Sequence, residues 1–276
     1  MINPRCDVVL STKDRHSELC ILLTSLLHQT FKDWDLIIVD DSQTPIGKCE
    51  AASKLLNLIK LQNHRLVVER ASTPNENCKS RQQGADLGVN PYILRMDDDT
   101  FFAKNDDLQK LMTTIIEGNY DAVGAVTPPV GMPEWKREIK FVKPVINKVI
   151  FDEQGNISIA DDCGYSYLED EVLPAHHLRS SFIYKRSIHE AGVKFDVPGR
   201  VAFREETKFC LASAWRGFNK FAVVTGVKFH HLHTSSGGCR LPPQDYNTSC
   251  LMGDEVFKAW CKRMWMKYGN PFEVKQ

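Results

Sequence analysis

Pro91-Tyr92-Ile93-Leu94-Arg95-Met96-Asp97-Asp98-Asp99-Thr100 is an apolar run that stops on three consecutive carboxylates. Its length, its β-branched and aromatic members and the Asn90-Pro91 break before it predict a buried strand over residues 93–96. Three carboxylates packed at one strand tip repel each other, so a protein that places them there usually supplies a cation. Hard divalent ions such as Mn²⁺ or Mg²⁺ take oxygen ligands and keep positions open for phosphates. The competing reading is a solvated acidic turn in which an aspartate or Thr100 caps the following helix.

Upstream of this run, two periods alternate. Residues 6–11 are a short β-branched apolar strand. Ser17 is placed to cap a helix carrying Leu19, Ile21, Leu22, Leu23, Leu26 and Leu27 at helical spacing. A strand over 36–39 stops at Asp40-Asp41, a helix follows over 49–58, then a strand over 66–69 and a helix over 80–87 closed by Gly88. Strands and helices in this alternation require right-handed crossovers and a parallel sheet. Ligands of such sheets bind beyond the carboxyl ends of the strands. Ser11-Thr12, Asp40-Asp41 and the aspartates 97–99 all fall at those ends.

Downstream, residues 122–127 predict a strand ended by Pro128-Pro129, and 149–151 with 157–160 a hairpin around Gln154-Gly155-Asn156. A strand over 180–184, a helix over 204–215 closing at Gly217, and a strand over 221–229 leading into His230-His231-Leu232-His233 come next. An amphipathic helix over 254–268 carries Val256, Phe257, Trp260, Met264 and Trp265. Repeats, low-complexity tracts and linkers are absent, so the expected architecture is an α/β, Rossmann-like, mostly parallel sheet flanked by helices, in a single compact domain with two lobes.

The chain has 276 residues, 42% of them hydrophobic and 25% charged, within the ordinary globular range. Thirty-five basic residues balance 35 acidic ones, which leaves no global field to draw it to polyanions. No segment is apolar enough to span a bilayer, and residues 7–11 read as a strand rather than a signal peptide. Nine cysteines, at 6, 20, 49, 78, 163, 210, 239, 250 and 261, show no Cys-x-x-Cys spacing and predict free thiols in a reducing compartment. The expectation is a cytoplasmic protein with no integral membrane contact, in which the glycan acceptor patterns at Asn156 and Asn247 carry no meaning. Residues 11–17 contain no glycine, which argues against a dinucleotide-dependent oxidoreductase and against a glycine-loop nucleotidyltransferase.

In order and spacing, these segments resemble the family 2 glycosyltransferases with the A-type nucleotide-sugar fold. The resemblance runs through Asp7-Val8-Val9-Leu10-Ser11-Thr12-Lys13-Asp14-Arg15, then Leu26-Leu27-His28-Gln29-Thr30-Phe31 to Ile37-Ile38-Val39-Asp40-Asp41-Ser42. It continues in Arg81-Gln82-Gln83-Gly84, Met96-Asp97-Asp98-Asp99 as an Asp-x-Asp clamp, and Ser181-Phe182-Ile183-Tyr184-Lys185-Arg186. Gly192, Phe195-Asp196, Arg204-Glu205-Glu206-Thr207, Trp215-Arg216-Gly217-Phe218 and the histidine cluster complete it, over about residues 6 to 240.

The resemblance implies an inverting, divalent-metal-dependent enzyme that moves a sugar from a UDP-sugar to an acceptor hydroxyl. It divides the chain into a nucleotide-sugar donor lobe over 1–120, an acceptor-binding and catalytic lobe over 121–240 and a helical tail over 241–276. Asp99 would ligate Mn²⁺ or Mg²⁺ directly, with Asp97 on the ribose or holding the ion through water, beside Asp98. Thr12 and Arg15 would line the nucleotide, Asp41 (or Asp40) would accept from the uracil N–H, and Arg81 would approach the base or diphosphate. The alternative for Arg81 is an exposed helix charge. His231 aligns best as a further metal ligand, with His233 on the same strand face, the alternative being structural histidines. Gly237-Gly238 would let a loop close over the donor phosphates.

A carboxylate must take the acceptor proton. Glu206, second of the pair Glu205-Glu206, is the candidate base. Lys208 stands where the family often carries another acid, so Glu205 remains the fallback; the alternative is an acidic first turn favoured by the helix dipole. Trp135, Phe141, Tyr165 and Tyr167 are expected to shape the acceptor site. The acceptor (glycan, lipid-linked sugar, protein or hydroxylated nucleobase), the donor sugar and the oligomeric state stay open. Two other functions compete. A degenerate sugar-nucleotide or glycan-binding relative is opposed by the intact acidic pairs. A metal-dependent phosphotransferase with an Asp-x-Asp-x-Thr loop is opposed by Thr100, one position early.

Overall fold

Aliphatic and β-branched runs with fully buried side chains build the middle of the sheet in the computed structural model, which describes residues 4–128, 130, 145–160, 171–197, 203–232, 234 and 243–273. The first half of the chain supplies β1 (Cys6–Thr12), β2 (Trp34–Asp40), β3 (Leu66–Arg70) and β4 (Tyr92–Asp97). Three helices alternate with them, α1 (His16–Leu27), α2 (Glu50–Leu61) and α3 (Asn77–Leu87). β3, β2, β1 and β4 lie side by side in that order, all parallel, as the alternation requires.

The rest of the chain adds β5 (Thr100–Phe102), β6 (Ala122–Val126), the hairpin β7 (Lys148–Phe151) with β8 (Ile157–Ala160), β9 (Val172–Ala175), β10 (Phe182–Lys185) and β11 (Phe221–His231). Its helices are α4 (Asp107–Glu117), α5 (Arg186–Glu190), α6 (Glu205–Ala214) and α7 (Pro243–Tyr268). β10 inserts antiparallel between β4 and β6, and β11 runs parallel to β6. One sheet therefore continues through both halves of the chain, in the order β3-β2-β1-β4-β10-β6-β11-β5, with β9 also on β11.

Successive strand residues point to opposite faces. Val8, Leu10, Leu36, Ile38, Leu94 and Met96 pack on one side with α1, α2 and α4. Val9, Ile37, Ile93, Phe182 and Tyr184 pack on the other with α3 and α6. Arg95 and Asp97 share the parity of Ile93 and so project toward α3 and α6. Gly84 lets α3 lie hard against β1, because a Cβ there would fall 2.5 Å from Val9 Cγ1.

Several expectations need correction. Ser17 sits inside the first turn of α1, with its hydroxyl on Glu18, and the cap position belongs to Arg15. α3 begins three residues earlier than predicted, and α7 eleven residues earlier. The strand read over 180–184 begins at Phe182. α4 was not anticipated, although Leu108, Leu111, Met112 and Ile115 repeat at helical spacing and are buried. Thr100 does not cap a helix; it opens β5, which pairs with the end of β11.

The edge opposite the strand carboxyl ends is tied by Asp7, which is fully buried. Its carboxylate accepts from Arg186 Nη2 at 2.5 Å, from the Val89 and Asn90 amides at 2.8 Å each, and from Asn90 Nδ2 at 2.8 Å. This joins β1, the α3–β4 turn and α5. Asp7→Asn keeps the shape and loses the charge facing Arg186, so it is expected to lower stability by about 1–3 kcal/mol in urea unfolding. An unchanged midpoint would show the network to be dispensable. Among the described residues no helix is long and apolar enough to cross a membrane, and Cys6, Cys20, Cys49, Cys78, Cys210, Cys250 and Cys261 carry free thiols.

Candidate active site

Polar residues collect at the carboxyl rim because that is where the buried strand runs end. From β1, Thr12 Oγ1 donates to Asp98 Oδ2 at 2.9 Å. Arg15, carried into the rim by the β1–α1 turn, reaches Asp98 Oδ1 at 2.8 Å and Asp99 Oδ2 at 3.0 Å. Asp98 and Asp99 are buried, which contradicts the solvated acidic turn. Burial pushes the Asp98 carboxyl up to about 6, against the pull of Arg15. Burial also works against ionised Asp99, yet the bond and charge of His231, with Arg15, hold it below the ordinary carboxylate range.

His231 reaches Asp99 because β5 turns back immediately after the aspartates. Thr100 pairs with His231 and Phe101 with His230, while the Leu232 amide donates to the Asp99 carbonyl at 2.9 Å. His231 Nε2 then lies 3.3 Å from Asp99 Oδ1. Burial alone would lower the imidazole pKa; the bond and charge of Asp99 raise it overall.

At the end of β2 the two aspartates part company. Asp40 is buried and committed to the loop, accepting from the Ser42 and Ile46 amides at 2.9 Å each and from Arg70 at 2.8 Å. Asp41 uses one oxygen, Oδ2, for Lys13 Nζ at 3.2 Å and the Asn75 amide at 2.8 Å. Lys13 also donates to Asn75, and Ser11 to Asn77 at 2.8 Å. Lys13 and Asn75 thus join this wall. Sequence reading assigned them no role, since their placement depends on the β3–α3 loop returning over β1.

The second half of the site is a buried charge cluster under Asp97. Arg81 is buried, so the exposed-charge alternative fails; it pairs with both Asp97 and Glu205. Burial opposes its charge, but Asp97 and Glu206 raise its pKa overall. Arg95, 1% exposed, places Nη2 3.1 Å from Asp97 Oδ1, 2.6 Å from Glu205 Oε1 and 2.9 Å from Glu206 Oε1. Cys78 Sγ donates to Glu205 Oε2 at 2.7 Å. Glu205 is fully enclosed by these partners, whereas the Glu206 side chain stays 21% exposed. The first turn of α6 presents both, immediately after Arg204 at φ 64°.

The rim therefore brings together Thr12, Arg15, Asp98, Asp99 and His231 on one side and Arg81, Arg95, Asp97, Glu205 and Glu206 on the other. Asp40 is withdrawn into the loop. Asp97, read as part of the metal set, forms ion pairs with Arg81 and Arg95. Among the described residues no three His, Cys, Asp or Glu side chains gather around one metal position. His233, Gly237-Gly238, Pro129, Trp135, Phe141, Tyr165 and Tyr167 lie outside the described residues.

A family model described as "Glycosyl transferase family 2" matches residues 7–172. No curated protein matches the chain. Among solved structures, S. aureus TarS 1-349 in complex with UDP-GlcNAc superposes with a TM-score of 0.60 at 15% identity, covering 97% of this chain and 72% of that one. A longer S. aureus TarS chain gives 0.58 at 15% identity, with 96% and 42% covered, so this chain spans less than half of it. GalNAc-T7 with UDP, GalNAc and Mn²⁺ gives 0.60 at 14% identity, covering 83% of this chain and 44% of that one. At such identities the likeness is one of fold.

Proposed function

This chain belongs to glycosyl transferase family 2, and on that premise we propose that it transfers a sugar from a UDP-sugar to an acceptor hydroxyl with inversion, in a metal-assisted single displacement. One observation carries the reading: Arg95 holds Asp97, on the rim, and Glu206, the partly exposed carboxylate of α6, on the same nitrogen. The acidic rim and a partly exposed carboxylate are thus held next to each other, as transfer from a sugar nucleotide requires. The neighbours solved with UDP-GlcNAc, or with UDP, GalNAc and Mn²⁺, support this donor class.

Thr12, Arg15 and Asp41 line the nucleotide. Asp41 offers the uracil N–H its Oδ1, which no described residue engages, and Arg15 and Arg81 face the diphosphate. The acceptor oxygen attacks the anomeric carbon as the bond to the β-phosphate oxygen breaks, UDP leaves with the electron pair, and Glu206 takes the acceptor proton. Glu205 is enclosed by Arg81, Arg95 and Cys78, which favours Glu206 as the base. Asp99 and His231 form a carboxylate–imidazole pair whose mixed donors suit Mn²⁺, and they are the residues that would hold it. A bound divalent ion supplies Lewis-acid neutralisation of the leaving diphosphate. Residues 1–120 are the donor lobe, 121–240 the acceptor and catalytic lobe, and 241–276 a packing tail.

The test is UDP binding by calorimetry with and without Mn²⁺. Wild type is expected to bind UDP at least about tenfold more tightly with the ion, and Asp99→Ala to lose that increment. Metal-enhanced binding that survives Asp99→Ala would remove Asp99 from the clamp.

A further inference from the structure

Arg95 interrupts an otherwise apolar strand: Ile93, Leu94 and Met96 around it are fully buried. Its guanidinium is equally buried, yet among the described residues Nε and Nη1 have no hydrogen-bond partner. Buried N–H groups without partners are costly, and a well-packed apolar residue is often as stable as a buried ion pair or more so. Stability alone therefore gives a poor account of an arginine here. Charge balance accounts for its pairing with Asp97 and Glu205, the carboxylates it shares with Arg81, but requires no contact with Glu206. The further ion pair, Nη2 to Glu206 Oε1 at 2.9 Å, goes to the less buried member of the acidic pair. Among the described residues Arg95 is the cation that forms an ion pair with Glu206, and the same nitrogen holds Asp97 Oδ1 at 3.1 Å.

We propose that Arg95 is a positioning residue: from beneath the rim it fixes the carboxylate of Glu206 relative to Asp97, so that the base faces the anomeric carbon of the bound donor. This deepens the glycosyltransferase reading and rests on Glu206 being the base. The strand enforces the arrangement, since residues two apart share a face and Arg95 is built on the strand that carries Asp97. Glu206 belongs to another element, α6, and has no such backbone constraint.

The test is a double-mutant cycle on turnover using Arg95→Gln, Arg95→Lys and Glu206→Gln. It is read as UDP released in single turnover from the best donor of a UDP-sugar panel, with water as acceptor. UDP affinity and unfolding midpoint are measured beside it. Arg95→Gln is expected to slow turnover about 100-fold with UDP affinity within about threefold of wild type, and Arg95→Lys to recover about tenfold of that loss. In the Glu206→Gln background either change should have little further effect, because a residue acting through the base has nothing left to position. If Arg95→Gln does not fold, the Arg95→Lys arm carries the cycle. Losses that multiply with Glu206→Gln, or a wild-type rate in both Arg95 variants, overturn the positioning role while the glycosyltransferase reading stands. A wild-type chain that releases no UDP from any donor overturns that reading and this role with it.

Discussion

Glu206→Gln is expected to slow sugar transfer by about 100-fold or more, the scale of a lost general base, while UDP affinity stays within about twofold. The side chain keeps its volume and loses only the ability to take a proton. Its contact with Arg95 at 2.9 Å lies at the open edge of the charge cluster, so the amide can remain in place and stability should change little. The measurement is single-turnover transfer together with UDP calorimetry on the same preparation. A variant that turns over at the wild-type rate would deny Glu206 the role of base. A variant that loses UDP binding as well would place it in the donor pocket.

Glu205→Gln should give the opposite pattern, a fold lesion. Glu205 is wholly enclosed by Arg81, Arg95 and Cys78. Neutralising it leaves two buried guanidinium groups competing for Asp97 and Glu206. Breaking a buried ion pair from one side costs about 3–5 kcal/mol, which urea unfolding would report as a large fall in midpoint. Some activity would be lost too, as Arg81 and Arg95 shift. If instead Glu205→Gln folds normally and is the slower enzyme of the two, the base is Glu205 and the assignment moves by one residue.

The adjacent pair thus behaves as one surface carboxylate and one core counter-charge, and nothing in Glu205-Glu206 as a dipeptide distinguishes them. Consecutive helix residues point about 100° apart, so one turns under β4 toward Arg95 and Arg81 while the other stays at the rim. Asp40 and Asp41 part in the same way, one turning in to the Ser42 and Ile46 amides and the other remaining beside Lys13 and Asn75. Other features were hidden for a different reason. α4 had its signal in Leu108, Leu111, Met112 and Ile115, whose helical spacing lies between the aspartates and the strand at 122. Three-residue β5 offers too little periodicity to register, and its strand partner, the end of β11, lies over 120 positions downstream.

Local sequence determined the alternation of strands and helices, the parallel order that follows from it and the gathering of acids where buried runs stop, because apolar periodicity and chain-reversal chemistry act over a few residues at a time. Tertiary structure decided which of those acids are free. Arg15, Arg81 and Arg95 come from separate elements, and Arg81 and Arg95 meet Glu205 only because α6 packs against the face of the sheet that carries Arg95. Charges pair across space according to distance and burial, and neither quantity is written in the order of residues along the chain.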